Sequence, residues 1–178
     1  SRRSGQSWHY ASDLALYFTD LTAALDAIPN EEVIFIAHST GGLIAPLWMD
    51  HLRRTDQERH QRLAGLILNS PWLDMMGVPG QVLTPLKPLL YTLGRIAPMT
   101  PLPGGNLTAY GESVHKDFYG EWDFDLRFKP LAGHKKYVGW IAAVFHGFDA
   151  IHSGRVDAGV PILTLQSTRT QLGQPYSD

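Results

Sequence analysis

The chain has 178 residues, 44% of them hydrophobic and 18% charged, with no cysteine and a formal net charge of −2. That length supports one domain with a real core, and that balance excludes a disordered chain. The charge gives no electrostatic case for nucleic acid or an anionic membrane surface. The missing cysteines exclude disulfides, thiolate catalysis and cysteine-bound metal, and no apolar run reaches the ~20 residues that span a bilayer.

The chain opens inside Arg2-Arg3-Ser4-Gly5, which reads as a loop and not a natural start. No secretory leader is visible, which leaves the cytoplasm as the default compartment. Residues 12–28 predict an amphipathic helix. Ser12 is placed as its N-cap, Leu14, Tyr17, Phe18, Leu21, Leu25 and Ile28 recur at three- and four-residue spacing, and Pro29 stops it. Val33 to Ala37 is a short continuous apolar run, which predicts a strand buried on both faces of a parallel sheet. Gly42 to Arg53 predicts the next helix, with a kink or a distorted first turn around Pro46. Leu63 to Asn69, ending at Ser70-Pro71, predicts a second buried strand. Val160 to Gln166 predicts a third, with Pro161 near its beginning, where a missing N–H is tolerated.

About ninety residues separate the second and third strands, too many for a structureless loop. Leu83, Leu86, Leu90, Leu93 and Ile96 keep helical spacing, as do Tyr137, Trp140, Ile141, Val144, Phe145 and Phe148. Pro98, Pro101, Pro103, Gly104 and Gly105 mark an irregular bend between them. The insert therefore predicts a mainly helical cap over the carboxyl edge of the sheet. The organisation expected is a first core part over 1–73, a cap over 74–157 and a resumed core over 158–178.

The segment with the most chemical content is Ala37-His38-Ser39-Thr40-Gly41-Gly42, between the first strand and its helix. It has the layout of a nucleophile elbow. A strand ends, the chain turns sharply, and a serine is presented at a helix start. The strained turn needs small residues two before and two after the serine, and Ala37 and Gly41 meet that need. Gly42 lets the helix pack close to the sheet. The helix N-terminus aims free N–H groups at negative charge forming near the serine.

Strand, Ala-His-Ser-Thr-Gly-Gly, helix, strand, helical insert, strand resembles the α/β-hydrolase fold. Within it the chain is similar to the lysophospholipase, monoacylglycerol lipase and serine aminopeptidase-like group. Arg2-Arg3-Ser4-Gly5-Gln6-Ser7 resembles that group's Arg-Gly-x-Gly-x-Ser turn, with Arg3 where glycine is usual. Leu66-Ile67-Leu68-Asn69-Ser70-Pro71 resembles the strand leading into the cap, and Val160-Pro161-Ile162-Leu163-Thr164-Leu165 the strand after it. The fold class implied is α/β, a mostly parallel sheet with flanking helices, incomplete, with a helical cap between strands. The resemblance covers the middle of that fold. One oxyanion loop is then expected before Ser1, and the catalytic histidine after Asp178, since the chain order is Ser, Asp or Glu, His. The sequence is on that reading a fragment, roughly a third or more short of a complete domain.

The resemblance implies a serine hydrolase cleaving carboxylic esters, lipid-like ones included, with an apolar acyl group and no cofactor. Ser39 is the expected nucleophile and the Thr40 N–H an oxyanion donor. The plainer reading is that Ser39 caps the helix. His38 points elsewhere on the turn and is expected to pack beneath it. The acid usually follows the strand after the cap, where Thr168 or Thr170 stands instead. Asp74, Asp178 and a residue outside the chain remain open, Asp74 reading first as an N-cap at the insert's entrance. His115, His134, His146 and His152 precede the expected acid and read as hydrogen-bonded or solvated groups. No paired-histidine spacing supports a metal. Phe118, Tyr119, Trp122, Phe124 and Phe128, with Leu83, Leu86, Leu90 and Trp140, line an acyl pocket or form the cap's own core. The alternatives are a proline-iminopeptidase-like aminopeptidase, with Glu121, Asp123 or Asp125 holding a free amino terminus, and a non-catalytic interaction module on the same fold.

Overall fold

The structure is a computed structural model and describes residues 7–75, 77, 79–103 and 107–168. Three parallel strands form the main sheet in the order β1 (Val33–His38), β2 (Leu63–Asn69), β5 (Ile162–Leu165). The register runs from Ile34 opposite Gly65 to His38 opposite Asn69, and from Leu66 opposite Ile162 to Asn69 opposite Leu165. The carboxyl ends of the three strands therefore lie side by side, which is where an open α/β sheet places its ligands.

Helix α1 (Leu16–Asp26) precedes β1. It starts later than the expected position, and Ser12 does not cap it. Asp13 does the local work, its carboxylate accepting from the Ala15 N–H at 2.8 Å, while three-residue turns carry the chain through Leu14 into the helix. Helix α2 (Gly41–Thr55) and the short α3 (Gln57–Gln61) connect β1 to β2. Pro46 is buried inside α2 and the helix continues through it. The distortion lies at the start instead, where the Gly42 N–H reaches back only three residues to the Ser39 carbonyl at 2.9 Å.

Helix α2 carries the core on two faces. On one, Trp48, Met49 and Leu52 meet Leu63, Leu66 and Leu68 of β2 and Ala37 of β1. The Trp48 indole N–H donates to Thr22 Oγ1 of α1 at 3.0 Å, so a fully buried ring keeps its polar atom satisfied. On the other, Leu43 and Ile44 meet Trp140, Val144, Phe145 and Phe148 of α7 (Val138–His152).

Burial of β1 differs from expectation. Val33, Phe35 and Ala37 face the core, whereas Ile34 and Ile36 are 62% and 68% exposed. Leu163 and Leu165 of β5 are exposed as well. Helices α1 and α2 lie against one face of the sheet, and among the described residues nothing covers the other. A continuous apolar run thus marks a strand whose second face is bare here.

Between β2 and β5 the chain forms α4 (Gly80–Leu83), a 3₁₀ turn over Thr84–Leu86, α5 (Lys87–Ile96), β3 (Pro101–Leu102), α6 (Thr108–Val114), β4 (Lys136–Tyr137) and α7. β3 and β4 pair antiparallel, so part of the expected bend is a two-stranded clip; Gly104 and Gly105 lie outside the described residues. Helix α5 docks on α7 so closely that a Cβ on Gly94 would stand 2.7 Å from the Ala142 Cβ. Asp149 of α7 accepts from Lys87 and from Tyr91 across the same seam. Burial alone would raise the Asp149 carboxyl, but those two donors together outweigh it and hold it below the usual carboxylate value. Burial and the same carboxylate push the Tyr91 hydroxyl up.

Candidate active site at the end of β1

The chain leaves β1 at His38 and enters α2 at Gly41, so the turn has two residues, Ser39 and Thr40. Ser39 carries φ +53°, the left-handed region, which a residue with a Cβ occupies only under constraint. Three hydrogen bonds supply that constraint. The Ser39 N–H donates to the Asn69 carbonyl at 3.2 Å, and the Ser39 carbonyl accepts from the Gly42 N–H and from the Trp72 N–H, both at 2.9 Å. Both peptide groups of Ser39 are thereby fixed by β2 and the chain that follows it. Its side chain stays half-buried, at the carboxyl edge of the sheet.

The glycines explain the tightness of this corner. A Cβ on Gly42 would lie 2.6 Å from the Pro71 Cβ and 2.8 Å from the Pro71 Cα, closer than real contacts allow. Pro71 in turn positions Trp72, whose N–H holds Ser39. Gly41 is different, since a Cβ there meets only the Ala37 Cβ at 3.9 Å. Thr40 is half-buried, and among the described residues its N–H has no backbone acceptor, as expected for a helix N-terminus.

The remaining sequence candidates do not gather here. His38 is exposed rather than packed beneath the turn, because it falls on the bare face of β1; its Nδ1 lies 2.9 Å from the Asn69 carbonyl. Asp74 is exposed, accepts from the Met75 N–H at 2.7 Å, and caps no helix, since α4 begins only at Gly80. Thr168 lies past β5, and Thr170 and Asp178 fall outside the described residues.

The histidines of the insert are engaged as structural groups. His115 is 3% exposed, with Nε2 3.1 Å from the Phe124 carbonyl and Nδ1 accepting from the Asp117 N–H at 3.2 Å. His146 stacks on Tyr91 and His152 on Phe148. His134 stacks on Trp8, with Nε2 3.1 Å from the Phe128 carbonyl. No group of three or more histidine and acidic residues could hold a metal among the described residues.

The aromatic block follows neither expectation as a unit. Phe118, Tyr119, Trp122 and Phe128 are exposed, Trp122 by 71%, while Trp140 is buried and Leu83 and Leu90 pack against the α2–α7 core. Of the acids interspersed there, Asp123 pairs with Lys116 at 2.6 Å and Asp125 with Arg127 at 2.5 Å.

Asn69 and Trp72 hold the Ser39 backbone, and sequence patterns do not single them out because their contribution is made by backbone atoms. Only the strand–Ser-Pro junction hinted that the chain turns sharply at this edge.

A protein-family model described as "Serine aminopeptidase, S33" matches residues 2–177. Among curated protein sequences none matches significantly. Among solved structures the fold is similar to the monoacylglycerol lipase of Paleococcus ferrophilus, with a TM-score of 0.55 and 19% identity over 85% of this chain and 53% of that one. The chain thus spans about half the length of that lipase, and the likeness concerns the fold. With its parallel sheet, flanking helices and family match over nearly its whole length, the chain belongs to this serine aminopeptidase family of α/β hydrolases.

Proposed function

We propose that the protein is a serine hydrolase that cleaves carboxylic esters through an acyl-enzyme on Ser39. The observation that carries this reading is the left-handed Ser39 (φ +53°), locked by three hydrogen bonds at the carboxyl edge of a parallel sheet. A helix cap does not need such a conformation, whereas a nucleophile presented above a sheet does. In this reading Ser39 Oγ attacks the ester carbonyl carbon, and its proton passes to a histidine base. The base returns that proton to the departing alcohol. Water then attacks the acyl-enzyme and releases the acid. The Thr40 N–H, without a backbone acceptor, points its dipole at the oxyanion. The base follows the acid in the fold's chain order, Ser, Asp or Glu, His.

The segment over 74–157 serves as the cap, and its exposed rings favour an apolar acyl group, with lipid-like esters the class to test first. An aminopeptidase reading would need a free carboxylate in that segment; Asp123 and Asp125 are already paired with cations, which leaves the exposed Glu121 as its candidate. Hydrolysis of p-nitrophenyl esters from acetate to decanoate by the full-length protein tests the proposal. Turnover that rises with acyl length and disappears in Ser39→Ala supports it. Cleavage of amino-acid p-nitroanilides with no esterase activity would favour the aminopeptidase, and no Ser39-dependent turnover of either kind the interaction module.

A further inference from the structure

A second concave surface lies where the N-terminal residues meet the insert. It is a cavity of about 190 Å³ whose walls include Leu107, Phe124 and Leu131. Its ionisable side chains of basic type are His9, Lys129, His134 and Lys136, and its lining holds no carboxylate. The Lys129 ammonium is held over the Phe124 ring at 4.6 Å and over Tyr110 at 5.8 Å, so ring faces rather than an acid stabilise it. Two acids that flank Phe124 are engaged elsewhere, Asp125 by Arg127 and Asp123 by Lys116. His9 sits at φ +52°, one of three left-handed non-glycine residues among those described, with Ser39 and Ser70, and its ring lies 4.4 Å from Trp140. Burial first, then the charges of Lys136 and His134, hold the His9 imidazole below its usual value.

We propose that this cavity binds the anionic head of a small amphiphile, a carboxylate or a phosphate monoester joined to an apolar group. The Lys129 and Lys136 ammonium groups neutralise the head, and Leu107, Phe124 and Leu131 receive the apolar part. At ~30 Å³ per non-hydrogen atom the space fits a ligand of about six such atoms, the size of butyrate. The site shares no residue with the β1–α2 turn, so its test does not depend on Ser39.

The test is a titration of the full-length protein with butyrate, ethyl phosphate and 1-butanol, following the imidazole resonances of His9 and His134 by NMR. Saturable shifts are expected with at least one of the two anions and not with butanol, and whichever anion binds more tightly identifies the head group. Binding should weaken at least tenfold in Lys129→Met/Lys136→Met, which keeps the apolar stems, and severalfold in the single variant Lys129→Gln. Unchanged far-UV circular dichroism checks that the variants fold. Equal shifts with butanol, no saturable shift with either anion, or anion affinity within twofold of the wild type in a folded double variant would overturn the assignment.

Discussion

Replacing Gly42 by alanine probes the corner that holds Ser39. The new Cβ would stand 2.6 Å from the Pro71 Cβ and 2.8 Å from the Pro71 Cα. Ordinary contact begins near 3.4 Å, so Pro71 must retreat by about 0.8 Å, and overpacking of this kind costs ~1–3 kcal/mol. Pro71 cannot yield freely. On one side the Ser70 N–H is tied to the Leu165 carbonyl at 2.7 Å, and on the other the Trp72 N–H is tied to Ser39. Alanine's better helix propensity returns ~0.5–1 kcal/mol. Taken at the middle of both ranges, the net loss is about 1.3 kcal/mol, or a Tm lower by roughly 3–5 °C for a chain of this size. The control is Gly41→Ala, whose Cβ meets only the Ala37 Cβ at 3.9 Å and which should show no loss, gaining up to the same ~0.5–1 kcal/mol. Thermal unfolding followed by circular dichroism measures both. Equal Tm values for Gly42→Ala and wild type, or an equal loss in Gly41→Ala, would refute the claim that this one glycine sets the helix-to-turn distance.

Other consequences follow from the same geometry. Ser39→Gly should raise stability by ~0.5–1 kcal/mol through release of the left-handed strain, while Ser39→Ala, which keeps a Cβ, should not; denaturant titration of the two variants decides it. Asp149→Asn removes a carboxylate whose folded value is depressed, so the wild type should exceed the variant above pH 3.8 and lose that advantage as pH falls through the lower folded value. The side chain is 42% exposed, so the difference near neutrality should be only about 1 kcal/mol, read from urea midpoints across pH. Phe148→Ala, emptying a site 1% exposed between Trp72 and Phe145, should cost ~3–5 kcal/mol in the same assay. The 178-residue chain alone should hydrolyse p-nitrophenyl acetate no faster than buffer, because no described histidine or carboxylate is hydrogen-bonded to Ser39 Oγ; robust Ser39-dependent turnover would show a complete triad within it.

The turn at Ser39 was legible in the sequence because its requirements are local. An apolar run, small residues at 37 and 41 and a glycine at 42 constrain a few consecutive backbone angles, and those angles are what the structure contains. The same local logic located β2, α5 and α7. Where the outcome depended on which elements meet, the sequence was silent. The run at Val33–Ala37 could not say that only one face of β1 would be covered, so His38 was expected beneath the turn and lies exposed. Ser12 and Asp13 both carry capping oxygens, and the backbone path of the following turn, not residue type, selected Asp13. Asn69 and Trp72 act through backbone groups that any residue would supply. The cationic cavity joins His9 to residues over a hundred positions away, and no window on the sequence contains both.

The central claim is that Ser39 is an activated nucleophile. A fluorophosphonate probe applied to the full-length protein, with the adduct mapped by peptide mass spectrometry, tests it most directly. The account predicts one adduct per chain, on Ser39, lost on heat denaturation and absent in Ser39→Ala. Failure of the native protein to label, or equal labelling of Ser39→Ala, would contradict it.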